Sequence, residues 1–146
     1  MSIQPPKGRP AASVSQGKRR LRLVTGAYAL LLVYVSLAPG QRIPGIFDWG
    51  ELFSPDKIAH FGAYAFFAVL LSFSNGMASR WKRAATAALA AALFGALMEV
   101  LQGIAGTGRD FDPVDMAANL IGAVLGGMVY LLLQPIMIKY LTPVRS

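Results

Sequence analysis

Asp56, His60 and Tyr64 recur at intervals of four, which stacks all three on one face of an α-helix, with Lys57 three residues before His60. A second set, Asp112, Asp115 and Asn119, has the same kind of spacing, and Gly122 and Gly126 extend its face. Between the two sets stand Glu99 and Gln102, one turn apart, then Arg109. An imidazole beside carboxylates is the equipment of a general base, and a lysine and an arginine nearby would steady developing negative charge or hold a phosphate. Carboxylates and imidazole are also donor types for a divalent metal, and Asp56, His60 and Glu99 could supply them. No dedicated ligand motif is present, so neither a metal nor another cofactor is expected.

Such groups must be positioned by something, and the composition says what. Of 146 residues 55% are hydrophobic and 14% charged, an apolar balance that points away from a soluble domain. Four apolar stretches read as transmembrane helices over about 22–38, 55–74, 83–105 and 113–134, since roughly 20 helical residues cross the hydrocarbon layer. Ser54-Pro55-Asp56 and Asp112-Pro113-Val114 each put a capping residue before a proline at the first helical position. Pro39, Ser74-Asn75-Gly76, the glycines at 106 and 108, and Pro135 supply the stops. The fold expected is all-α, a four-helix transmembrane bundle spanning 22–134. It lies between a disordered basic tail over 1–21 and a C-terminal tail over 135–146.

Charge sets the orientation. Eleven of the fourteen bases fall in the N-terminal tail, in the loop carrying Arg80, Lys82 and Arg83, and near the C-terminus; Arg42, Lys57 and Arg109 fall on the other side. That asymmetry predicts both termini in the cytoplasm of a multi-pass protein of the bacterial inner membrane. The bases are not interleaved with aromatics as a nucleic-acid stripe would be, so the net charge of +7 is read as topology and no nucleic-acid partner is expected. The absence of cysteine removes disulfides, thiolate ligands and cysteine nucleophiles. Ser36-Leu37-Ala38 has the look of a signal-peptide cleavage site, but Pro39 and the need for an even number of spans favour a retained first helix.

Counting helical rise from the helix ends places His60, Glu99 and Asn119 roughly 6 to 9 Å deep, at one level of the bundle. Ionisable groups are costly in lipid, so they should face one another. Gly122, Gly126 and an Ala91/Gly95 seam are expected to let the third and fourth helices cross closely. Each polar residue also has a plainer reading: Asp56, Asp112 and Asp115 as helix-start acids, Tyr64 as a buried aromatic, Arg109 as a partner of Asp110 or Asp112.

The ordered set Asp56-Lys57, His60, Tyr64, Glu99, Gln102, Arg109, Asp112, Asp115, Asn119, Gly122 and Gly126 resembles the signature of the VanZ-like family of membrane proteins. The resemblance implies a multi-helix bacterial membrane protein, whose namesake is associated with low-level resistance to the glycopeptide teicoplanin. Three functions fit the polar layer. The favoured one is binding of membrane lipid, an envelope lipid or a lipid-linked cell-wall precursor or glycan, in an outward-facing polar pocket. The second is an intramembrane enzyme acting on a lipid-linked phosphate or glycan, with His60 or Glu99 as general base. A transporter is disfavoured, because 66–73, 84–92 and 125–133 carry no charge.

Overall fold

The computed structural model describes residues 11–38, 55–106 and 111–141, with side chains described over 16–38, 57–106 and 111–137. Four helices account for nearly all of it: α1 (Ala11–Leu37), α2 (Pro55–Ser74), α3 (Arg80–Ile104) and α4 (Pro113–Leu141), with no strand among the described residues. Each contains a stretch long and apolar enough to cross a membrane, namely Gln16–Leu37, Lys57–Ser74, Arg80–Ile104 and Pro113–Met137. The fold is the all-α bundle of four candidate membrane spans that the hydropathy pattern requires.

The helix ends follow local chemistry. Ser79 caps α3, its hydroxyl accepting from the Lys82 N–H, so α3 starts at Arg80 and not near Arg83. It closes at Ala105, and Gly106 takes φ of 63°, the left-handed conformation in which glycine escapes the Cβ penalty. Asp112 caps α4 by accepting from the Val114 N–H at 2.8 Å.

Two further boundaries depart from the sequence expectation. α1 begins at Ala11, so residues 11–21 are helix and not disordered tail: Ala, Gln, Lys, Arg and Leu are good helix formers, and no proline interrupts them after Pro10. α4 runs through Pro135 to Leu141, so 135–141 belongs to the helix and not to a tail. Proline removes one backbone bond, but an irregular Ile136–Leu141 in hydrocarbon would leave many more backbone groups unsatisfied.

Large apolar side chains such as Leu30, Leu89, Leu93, Ile104 and Leu132 face outward, while small residues and a few aromatics fill the interior around Leu32, Tyr64, Phe67, Ala68, Ala91 and Ala123. This is the arrangement expected when the solvent is lipid, as apolar as leucine, and helices associate by close packing. α2 and α4 form the most extensive helix pair, and α1 lies to the side against α2 and α3. Tyr28 fastens α1, donating to the Ala63 carbonyl at 3.1 Å and setting its ring edge-on to Phe66.

The small-residue seam follows the expectation at Gly95 and departs from it at Gly122 and Gly126. Gly122 and Gly126 face α2, not α3: a Cβ at either would collide with the backbone carbonyl of Phe61 or of Ala65. α3 meets α4 elsewhere, at Gly127 beside Ala84 and Ala88, and at Gly95, where a Cβ would lie 2.8 Å from that of Asn119 and 3.0 Å from the Tyr64 ring. Small residues mark which face of a helix is approached closely, and Asp115 and Asn119, which share the Gly122 face, already reach across to α2.

Candidate functional site

The N-termini of α2 and α4 and the C-terminus of α3 lie at one end of the bundle, and their polar side chains meet there. Lys57, on the first turn of α2, donates to Asp112 Oδ2 at 2.8 Å and to Asp115 Oδ1 at 3.2 Å. One turn further in, His60 Nδ1 lies 3.1 Å from Asn119 Oδ1 and 3.7 Å from Glu99 Oε1, while Asn119 Nδ2 reaches Glu99 Oε1 at 3.4 Å. The other ring nitrogen, Nε2, faces Asp115 Oδ2 at 3.8 Å. Asp115 therefore divides its two oxygens, one to Lys57 and one toward His60.

This is a cross-helix network built from α2, α3 and α4, and it is well enclosed. Glu99 and Asn119 are fully buried, and the side chains of Lys57, His60 and Asp115 keep about a tenth of their surface. The Glu99 Oε2 oxygen is buried without a hydrogen bond of normal geometry, and the Asp112 backbone N–H is turned toward this carboxyl group. Among the described residues the layer holds one lysine against three carboxyl groups, an acidic excess of two by residue count. The Lys57 hydrogen bond holds the Asp112 carboxyl below the usual carboxylate range, outweighing the opposing effect of partial burial.

Not every residue singled out in the sequence joins this network. Gln102 is buried but turns to α1, donating to the Ser36 carbonyl at 2.9 Å. Tyr64 belongs to the apolar core; its hydroxyl points toward Ser36 without a hydrogen bond of normal geometry. Arg109 and the side chain of Asp56 lie outside the described residues; among the described residues the acid found with His60 and Glu99 is Asp115. Lys57 is engaged by two aspartates and does not present a bare cation to a phosphate. Asp112 acts both as a helix cap and as an ion-pair partner.

One feature goes beyond the polar residues. A groove of about 540 Å³ opens between α2 and α4, lined by Ile58 and Phe61 on one side and by Val114, Ala117, Ala118 and Ile121 on the other, with Lys57 at its polar end. The volume lies within the range of ligand pockets. The spacing of three and four among these apolar residues, beside the polar set on the same two helices, was the available signal.

Comparison with protein families places this arrangement. A family model described as VanZ/LLP1 matches residues 9–134, which takes in the first three candidate spans, the fourth up to residue 134, and every polar residue of the network. No curated protein and no solved structure matches the chain.

Proposed function

The chain belongs to the VanZ/LLP1 family of membrane proteins, and from that premise we propose that it binds an envelope lipid carrying a hydroxyl-rich headgroup, such as a lipid-linked glycan. The hydrocarbon lies along the α2/α4 groove and the headgroup on the polar layer. The observation that carries this reading is the contiguity of the two: Lys57 lines the groove and is also bonded to Asp112 and Asp115. Ile58 and Ile121 on the groove wall are more than half exposed, which opens it toward the surrounding lipid. The layer is rich in acceptors, with three carboxylates and an asparagine, and acceptors suit sugar hydroxyls better than they suit a bare phosphate.

The distribution of Lys and Arg supports an orientation with this end outward and both termini in the cytoplasm of the bacterial inner membrane. A protein that captures envelope lipids there would alter what reaches the outer surface, and its cellular consequence is a change in glycopeptide susceptibility.

The test is lipid capture by the purified full-length chain, incubated with a bacterial lipid extract and analysed by mass spectrometry. A glycan-bearing lipid should co-purify, and Ala118→Phe, which fills the groove, should lower its recovery about tenfold, equivalent to about 1.4 kcal/mol, with unchanged helical circular dichroism. Equal recovery by Ala118→Phe would remove the groove from the reading. The appearance of a chemically altered lipid that Glu99→Gln no longer produces would replace binding by catalysis.

A further inference from the structure

We propose that His60, Glu99 and Asp115 form a site for one divalent first-row transition cation, of the Zn²⁺ or Mn²⁺ class, held between α2, α3 and α4. One donor atom from each of the three lies within 4.8 Å of the others. Bonds of about 2.0 to 2.2 Å to nitrogen and oxygen require donors closer than that, so binding would draw the three side chains together.

The electronics of His60 carry the argument further. Its Nδ1 faces Asn119 Oδ1 at 3.1 Å, and because the Asn119 amide nitrogen is turned to Glu99 that oxygen is an acceptor, so the ring proton belongs on Nδ1. In that tautomer Nε2 presents a lone pair, and 3.8 Å away it meets another acceptor, Asp115 Oδ2. Two lone pairs facing each other across a partly enclosed space repel, and an electron-poor centre between them turns repulsion into coordination. Asn119 would then serve as the outer group that fixes the ring, as hydrogen-bond partners of metal-bound histidines do.

Two further observations agree. Glu99 is fully buried, and its Oε2 makes no hydrogen bond of normal geometry, the Asp112 backbone N–H being the donor turned toward the carboxyl, an arrangement that is costly for an ionised carboxylate unless a cation is at hand. The layer has two more acids than bases by residue count, a balance that a divalent ion would offset with all three carboxyls ionised, and Lys57, committed to Asp112 and to the far oxygen of Asp115, leaves Oδ2 available. One imidazole with carboxylates favours a borderline transition ion over Mg²⁺, which prefers oxygen alone.

The inference stands apart from lipid binding, because it is tested with metal alone. The full-length chain, purified in detergent without a histidine tag and stripped with chelator, is titrated with Zn²⁺, Mn²⁺ and Co²⁺. Bound metal is counted by elemental analysis after desalting. One equivalent is expected, with a Co²⁺ visible spectrum that changes in His60→Ala. Glu99→Gln, nearly isosteric and remote from the Lys57 ion pair, should weaken binding by roughly a hundredfold while keeping the helical circular dichroism of the unaltered chain. Asp115→Asn should do the same, but because it also disturbs Lys57, Glu99→Gln is the deciding variant. No stoichiometric uptake of any of the three ions would overturn the site, and so would uptake equal in the unaltered chain and in Glu99→Gln. Either result would leave an imidazolium paired with the two carboxylates as the way the network closes.

Discussion

At the end of the bundle where α2 and α4 begin, polar side chains find their partners on other helices; at the opposite end they find them close by in the chain. Lys57 reaches Asp112 and Asp115, and His60 reaches Asn119, across more than fifty residues of sequence. By contrast Ser72 donates to the carbonyl of Ala68, Ser74 to that of Leu71 and Thr86 to that of Lys82, each within the same helix. Asn75 bonds to Thr86 over the short α2–α3 loop, and Arg83 bonds to the Met77 carbonyl. A polar group bonded within its own helix has little left to offer a ligand or a neighbouring helix. Groups bonded between helices depend on the packing and can respond to whatever enters, so chemistry is concentrated at the first end.

The contrast can be broken in graded ways. The largest effect should come from Gly122→Leu, which drives a side chain into the α2 backbone and separates the helices that carry the network; a loss on the order of 3 kcal/mol or more is expected, seen as reduced folded yield and a lower Tm in detergent. Lys57→Met comes next. It leaves Asp112 and Asp115 facing each other without their cation, at a cost of about 2 kcal/mol once the partial exposure of Asp112 is allowed for, measurable by denaturant titration.

The same pair sets an acid limb. Because Asp112 titrates below its ordinary range when folded, its contribution is complete above the unfolded value and is lost as pH falls through the lower folded one. Unfolding measured against pH should therefore show a decline beginning below about pH 4, and that part of the decline should vanish in Lys57→Met. Asn119→Leu, which deletes the bridge between His60 and Glu99, should cost roughly 1 to 3 kcal/mol. Ser72→Ala at the other end should change stability by less than about 1 kcal/mol, since Ala68 O keeps its place in the helix ladder. A Ser72→Ala penalty as large as that of Asn119→Leu would erase the distinction between the two ends.

The hydropathy pattern made four spans legible, and rise counted along the helices was enough to bring His60, Glu99 and Asn119 to one depth. It was not enough to say which helices touch. Gly122 and Gly126 declare a close approach, but a seam of small residues carries no label for the partner, and the partner is α2, not α3. Lys57 and Arg109 suggest an anion holder in the sequence alone; the aspartates that engage Lys57 arrive from the start of α4. Gln102 was drawn away by a carbonyl of α1 that no side-chain pattern reveals. Long-range neighbours are decided by packing, and packing is what a single helix's periodicity leaves out.

The order of the helices along the chain gives the network a schedule. α2, with Lys57 and His60, is synthesised before α4, which supplies Asp112 as its cap and Asp115 and Asn119 on its face. Until the last helix enters the membrane, a lysine and a histidine stand in α2 without the aspartates and asparagine they bond to. An incomplete chain thus displays a polar mark that the finished one conceals, which is the kind of signal by which membrane proteases sort nascent products. A chain ending before Pro113 should be degraded faster than the full chain in a pulse-chase experiment, and exchanging Lys57 and His60 for leucine in that truncated form should lengthen its lifetime.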